Sequence, residues 1–366
     1  MMPTEVRSNV LRMHPYQPGK PISTVKRELG LDHVIKLASN ENPFGPSPKA
    51  LEAIREALPE LHLYPDGASF DLRTALAEKF ETPFNQVVVG NGSDELIGAI
   101  GLALLSSPDD EVITAEHSFP RYDAAVDLAP GKLIKAEMSP GWRYDLSAIS
   151  RAVTANTKII FIANPNNPTG TIVRKRELDA FIADLPSQTL LVLDEAYFEF
   201  AQDAGDYPDG REYVLAGKNV VALRTFSKIY GLAGLRIGYG FVPAYIADAF
   251  DRVRAPFDVN SLAQAGAIGA LGDAEFLNMT LANNRSGLKL MQEAVEAAGC
   301  EVTESWTNFH FIDLKRPCMP VFQALLERGI ITRPCTGYGA PNHLRVSIGT
   351  PDENETFARE FKRVME

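Results

Sequence analysis

Val220-Val-Ala-Leu-Arg-Thr225-Phe-Ser-Lys228-Ile-Tyr-Gly-Leu-Ala-Gly-Leu-Arg236-Ile-Gly-Tyr239 opens on an apolar run and continues into a glycine-rich loop. The run at 220–223 lacks polar alternation, as expected of a strand covered on both faces. The loop is of another kind: a hydroxyl at Ser227, an amine at Lys228 and a guanidinium at Arg236, with Gly231, Gly234 and Gly238 among them. Glycines this dense suit a loop that passes close to something bulky. A lysine beside packed apolar sequence can have its pKa lowered by desolvation, and the neutral amine is then a nucleophile towards carbonyls. Most lysines simply face solvent. The other strand ends decide between the two readings.

Seven segments read as strands, several of them apolar throughout, at 86–89, 111–114, 133–136, 158–163, 189–193, 220–223 and 237–242, with amphipathic helical stretches between most of them. Such alternation predicts an α/β domain built on a largely parallel sheet flanked by helices. Beyond residue 260 a long helix (273–298), strands at 309–314 and 344–348, and helices at 321–328 and 353–365 predict a smaller α+β unit. The expected organisation is an N-terminal arm (1–30), a large domain (31–260) and a small domain (261–366). The arm carries Pro3, Pro15, Pro18 and Pro21 with little apolar periodicity, and reads as a segment resting on another surface such as a partner subunit. Tyr16 is its conspicuous aromatic. After it come a short strand at Val34-Ile-Lys-Leu-Ala, an irregular stretch at Ser39-Asn-Glu-Asn-Pro-Phe-Gly-Pro-Ser-Pro48, and a turn at Tyr64-Pro-Asp-Gly67 between two helices.

With 36 basic and 47 acidic side chains the net charge is −11, which argues against non-specific binding to nucleic acid or anionic membranes but leaves room for a local cationic pocket. Cys300, Cys318 and Cys335 form no CxxC pair and read as reduced thiols in a cytoplasmic protein, with no metal site indicated. Neither a signal peptide nor a membrane span is expected.

In an open α/β sheet, ligands bind beyond the carboxyl ends of the strands. Gly90-Asn-Gly-Ser-Asp-Glu95 follows the first strand and precedes a helix, so a Ser/Asp N-cap and free amides there can receive a phosphate. A capped helix with no ligand fits this segment equally well. Asn164-Pro-Asn-Asn-Pro-Thr-Gly170 follows the fourth strand, and Asp194-Glu-Ala-Tyr197 ends the fifth. A buried aspartate there needs a cationic or donor partner. The P-loop ATPase reading fails, because Gly19-Lys20, Gly131-Lys132 and Gly217-Lys218 are followed by Pro, Leu and Asn. A dinucleotide fingerprint is incomplete as well. A lysine for a Schiff base, an acid for a pyridine nitrogen and an anion site together describe pyridoxal phosphate binding.

Ser227-Lys228 and the glycine-rich run to Tyr239 resemble the lysine signature of the fold-type I aminotransferases (class II branch), which depend on pyridoxal 5'-phosphate. The segments at Asn164 and Asp194 are similar to two more of that family's motifs, in its order. His14-Pro-Tyr-Gln-Pro-Gly, Lys36-Leu-Ala-Ser-Asn-Glu-Asn-Pro-Phe-Gly-Pro-Ser-Pro48, Tyr64-Pro-Asp66, Gly329-Ile-Ile-Thr-Arg333 and Leu344-Arg-Val-Ser-Ile-Gly-Thr350 resemble its histidinol-phosphate branch. The resemblance implies that Lys228 forms the Schiff base and moves the proton, that Asp194 pairs with the pyridine nitrogen, and that Asn167 and Tyr197 bond the ring oxygen. It assigns the cofactor phosphate to Ser227, Arg236 and the backbone amides of Ser93 and Asp94. Phe119 stands where relatives often place a stacking tyrosine, so stacking is kept and a polar role is not; Tyr122 reads as core or as support. The resemblance further implies a homodimer with shared sites, Tyr64 reaching the other subunit's cofactor phosphate. Arg333 and Arg345 would grip the substrate phosphate, with Tyr16 closing over it. The expected reaction moves an amino group between L-histidinol phosphate and 2-oxoglutarate, in histidine biosynthesis. Transamination of aromatic amino acids and, further off, decarboxylation of threonine phosphate remain open on the same scaffold.

Overall fold

Each of the seven apolar segments becomes a strand of one sheet. The computed structural model describes residues 6–13 and 19–366. Its strands are β1 (Val87–Gly90), β2 (Glu111–Ala115), β3 (Lys132–Ala136), β4 (Thr157–Ala163), β5 (Leu190–Asp194), β6 (Val220–Thr225) and β7 (Gly238–Phe241). They lie in the order β1-β7-β6-β5-β4-β2-β3. Strand β7 runs antiparallel to both neighbours, and the remaining pairs are parallel. The reason lies in the connection from β6 to β7, which holds only a short 3₁₀ turn (Ala233–Leu235). A parallel return is usually carried by a crossover helix, and this connection has none.

The missing alternation has the expected cause. Along β4, Ile159 and Phe161 pack into one layer with Ile97 and Ile100 of the helix Ser93–Leu104. Ile160 and Ile162 pack into the opposite layer, with Leu178 and Phe181 of the helix Lys175–Asp184. Both faces are covered, so neither is polar.

A second, antiparallel sheet comprises β8 (Glu301–Val302), β9 (Phe309–Asp313), β10 (Arg333–Pro334) and β11 (His343–Ser347), ordered β8-β9-β11-β10. The helices Ala274–Ala297, Cys318–Glu327 and Pro351–Met365 supply Met291, Val295, Leu325, Phe357 and Phe361 to its core. The change of core falls later than residue 260. Ala263, Ala267 and Ala270 of the helix Ser261–Leu271 pack with Val87, Phe226 and Tyr239 of the large sheet's core. Ile35 and Leu37 pack instead with the smaller core, and Ile35–Lys36 pairs in parallel with Ile330–Ile331. The chain thus enters the small unit before it builds the large one.

The arm departs from its reading at two points. Ile22–Leu29 is a helix that buries Val25 against Leu326 and Ile331, so its prolines flank regular structure rather than prevent it. Pro21 stands at its N-cap, where a missing N–H costs nothing. The short helix Ser8–Arg12 lies against its own chain, where Asn9 donates to the carbonyl of Asp127 at 2.6 Å. Tyr16 lies outside the described residues.

The lysine loop is tied to the segment after Leu37. Asn42 Nδ2 donates to the carbonyl of Ile229 at 2.7 Å, and Gly231 (φ +70°) packs so tightly that a Cβ there would sit 2.0 Å from the oxygen of Gly45. Gly231→Ala is therefore expected to cost about 3 kcal/mol or more, from backbone strain and overpacking together. Urea denaturation measures it, and a loss no greater than that of an ordinary surface substitution would show that the contact is relaxed.

Candidate active site

Strand termini β1, β4, β5 and β6, the first turn of the helix Ser93–Leu104, and β10 and β11 of the small unit meet around one cleft of about 580 Å³. Its lining includes Ser93, Asp94, Phe119, Asn167, Asp194, Tyr197, Ser227, Lys228, Arg236, Arg333 and Arg345. Segments scattered over most of the sequence are brought to one place. Tyr64 is not among them: it is 82% exposed and stacks on Phe257 with ring centroids 4.8 Å apart.

Asp194 closes β5 and is buried. Its Oδ2 accepts from the Tyr122 hydroxyl at 2.9 Å, while Oδ1 is buried with no hydrogen-bonding partner. Burial pushes the carboxyl up to about 6, against the Tyr122 hydrogen bond and the nearby Lys228 charge. The backbone amide of Ala196 also favours the anion, without closing a hydrogen bond to Oδ1. Lys228 Nζ donates to the carbonyl of Ser39 at 3.3 Å and lies 5.6 Å from the centre of the Tyr197 ring. The Tyr197 oxygen accepts from Asn40 Nδ2 at 2.7 Å. Asn167 Oδ1 accepts from Arg345 Nη1 at 2.6 Å, and Arg345 Nη2 donates to the carbonyl of Ala38 at 2.8 Å.

The helix after β1 begins at Ser93, with Gly92 (φ +87°) as its N-cap and no capping side chain. This corrects the Ser/Asp cap expected from the sequence. Ser93 and Asp94 instead stand inside the first turn, where backbone amides lack intrahelical partners. Close approach explains two glycines here. A Cβ on Gly92 would come within 2.8 Å of Arg236 Nη2, and one on Gly238 within 2.3 Å of the Ser93 nitrogen. Arg236 itself sits at φ +58°, a conformation that non-glycine residues seldom adopt. Asp94 is held by Arg121 Nε at 2.5 Å.

In the small unit, Arg333 and Arg345 are direct partners across the β10–β11 pair, so their side chains leave the sheet on the same face. Among the described residues, five cations line the cleft (Arg121, Lys228, Arg236, Arg333 and Arg345) against Glu41, Asp94 and Asp194, a local positive balance in a chain of net charge −11. Behind the strand ends, fully buried Arg224 donates to Glu195 Oε2 at 2.9 Å and to Asp209 Oδ1 at 2.6 Å. This pair fastens the ends of β5 and β6, which carry Asp194 and the lysine loop.

The sequence reading missed the bond of Tyr122 to Asp194, the support of Tyr197 by Asn40, and the presence of Arg121 and Tyr338 in the lining. Asn40 did leave a signal. It adopts φ +56°, which asparagine tolerates better than most residues, within a stretch read as irregular.

The sequence profile of the class I and II aminotransferases matches residues 32–361. This chain belongs to that family. Histidinol-phosphate aminotransferase 2 of Pseudomonas fluorescens is 47% identical over 358 residues, covering 97% of this chain and 96% of the relative. The histidinol-phosphate aminotransferase of Akkermansia muciniphila is 45% identical, covering 98% of each. Among solved structures, that of histidinol-phosphate aminotransferase from Sinorhizobium meliloti in complex with pyridoxal-5'-phosphate superposes with a TM-score of 0.89 at 29% identity, covering 100% of this chain and 99% of that one.

The Asp194 carboxyl has a consequence for stability. Its folded-state pKa of about 6 exceeds an unfolded value of about 3.9. The folded chain therefore holds the proton more tightly, and ionisation costs stability as pH rises from about 4 to about 6. Asp194→Asn is expected to stabilise the ligand-free chain at pH 8 by roughly 1–3 kcal/mol, the gain disappearing below about pH 4. Urea denaturation at the two pH values checks this, and an Asn variant less stable at pH 8 would contradict it.

Proposed function

We propose that this protein is a pyridoxal-phosphate-dependent histidinol-phosphate aminotransferase, exchanging an amino group between L-histidinol phosphate and 2-oxoglutarate to give imidazole acetol phosphate and glutamate in histidine biosynthesis. One observation carries the substrate choice. Arg333 and Arg345 are direct partners across β10 and β11 and line the same cleft as Lys228 and Asp194. Two guanidiniums side by side suit a phosphate ester in one half-reaction and a dicarboxylate in the other.

The residues present fit the cofactor. Oδ1 of Asp194 is a buried acceptor without a partner, which is what a protonated pyridine nitrogen requires. The amides of Ser93 and Asp94 at a helix N-terminus, together with Ser227 and Arg236, suit a phosphate. When bound, pyridoxal phosphate supplies an electron sink for the substrate carbon that loses its proton. The chain supplies the rest. Lys228 Nζ anchors the cofactor and takes and returns the substrate proton. Asn40 donates to the Tyr197 oxygen, which leaves that phenol to act as a donor towards the ring oxygen. Arg345 occupies the carbonyl of Asn167 and so turns its amide hydrogens to the same task. Phe119 covers the ring by stacking, with no hydroxyl to add.

The same reading makes the protein a cytoplasmic homodimer. Tyr64 is remote from its own cleft, and Leu61, Leu63, Tyr64 and Phe70 are all more than half exposed along one segment. Apolar surface of this kind marks an interface. A second copy seated there would receive Tyr64 at its cofactor phosphate. All three cysteines are free and buried, as suits a reducing compartment. Among the described residues, no helix is long and apolar enough to cross a membrane.

Steady-state assays with histidinol phosphate and phenylalanine in parallel test the substrate. A larger kcat/KM for histidinol phosphate is expected, and the reverse order would transfer the assignment to aromatic amino acids. Arg345→Ala should lower kcat/KM for histidinol phosphate by about 10²–10³-fold, the loss of a buried, charge-assisted contact. Lys228→Ala should abolish turnover and the long-wavelength absorption that develops when pyridoxal phosphate is added. Unchanged absorption would remove Lys228 from its role.

A further inference from the structure

We infer that Tyr122 is a positioning residue for this reaction: by bonding Oδ2 of Asp194 it orients the carboxylate and reserves Oδ1 for the ring nitrogen of the cofactor. The inference rests on the proposed use of pyridoxal phosphate.

The geometry is specific. Tyr122 is fully buried, and its hydroxyl lies 2.9 Å from Oδ2. Its ring stacks on Phe161 at 4.6 Å with planes 4° apart and meets the edge of Phe119 at 5.8 Å. Packing on both sides fixes the ring, so the hydroxyl has one place to point. A carboxylate with no such partner can rotate and offer either oxygen, or both, to a ring N–H. With Oδ2 already bonded, Oδ1 is the oxygen left wholly open, and it is the buried acceptor without a partner. The local sequence couples this to the rest of the site. Within four residues, Phe119 lines the cleft, Arg121 holds Asp94, and Tyr122 turns inward to Asp194.

The bond also keeps the carboxylate charged. The titratable groups facing Asp194 are Tyr122 and Tyr144, the Asp94 carboxylate and the Lys228 amine, with Tyr197 facing Tyr122. Burial and Asp94 favour the neutral acid; Tyr122 and Lys228 favour the anion. Burial and the adjacent Asp194 hold the Tyr122 phenol well above its ordinary value, so it stays protonated and remains a donor. Without its hydroxyl, Asp194 would bind a proton at higher pH and lose part of its hold on a protonated ring nitrogen.

Tyr122→Phe keeps both ring contacts and removes one oxygen, so the fold should survive. Full-length wild type and variant, stripped of cofactor, would be titrated with pyridoxal phosphate and with its analogue in which the ring nitrogen is replaced by C–H. We expect the variant to bind pyridoxal phosphate about tenfold more weakly, the worth of one charge-assisted hydrogen bond, and the analogue less than about twofold more weakly. Its affinity for pyridoxal phosphate should also begin to fall at a higher pH as the solution is acidified. Equal weakening towards both compounds would reduce Tyr122 to a packing residue, and no weakening towards either would overturn the inference outright. If the wild type itself does not distinguish the two compounds, the pairing of Asp194 with the ring nitrogen fails, and this inference with it.

Discussion

A carboxylate buried without a cation in bonding contact is among the costlier things a protein interior can hold. Asp194 is in that position, and its neighbour Glu195 shows the contrast. Glu195 receives Arg224 Nε at 2.9 Å and the amide of Gly210 at 2.7 Å, and is satisfied within the chain. Asp194 has Tyr122 on one oxygen and nothing on the other. Two consecutive acids thus leave β5 with different fates, one structural and one held open. The arrangement is tolerated because the sheet, the Arg224 pair and the stacked aromatics hold its surroundings in place. Such a site gives up stability so that a ligand can supply the missing partner.

Backbone proximity is the second constraint. The loop after Lys228 approaches Gly45, and the strand it leads into approaches Ser93, at distances that exclude a Cβ. Those contacts bring the N-terminus of the helix Ser93–Leu104 beside Ser227 and Arg236. The small unit then closes the remaining side. Arg345 reaches Asn167 and the carbonyl of Ala38, so this cleft-lining arginine is held by the loop after β4 and by the segment that joins the two sheets.

Much of this was legible in the chain. Apolar runs, several of them unalternated, located all seven large-sheet strands to within a residue or two, because burial on both faces of the central strands leaves a one-dimensional signature. Motifs at strand ends pointed to the residues that line the cleft, because strand ends are where this architecture places ligands. Other features left no such trace. The reversal of β7 goes with a connection that forms no crossover helix. The helix Ile22–Leu29 was hidden by the prolines around it. Arg224 lies just past the strand expected at 220–223, and nothing beside it in the chain marks Glu195 and Asp209 as its partners.

By itself, then, the sequence determined the kind of fold and the chemistry available, since hydrophobic periodicity and residue type are properties of short segments. Only the tertiary structure decided the partnerships. Tyr122 is an ordinary core aromatic in the chain and becomes Asp194's hydrogen-bond donor only when the fold brings the start of the helix Arg121–Leu128 to the end of β5. Arg333 and Arg345 become a pair only through the register of two antiparallel strands. The distances that select which oxygen is bonded and which is left open are set by packing between segments remote in sequence, and no local pattern encodes them.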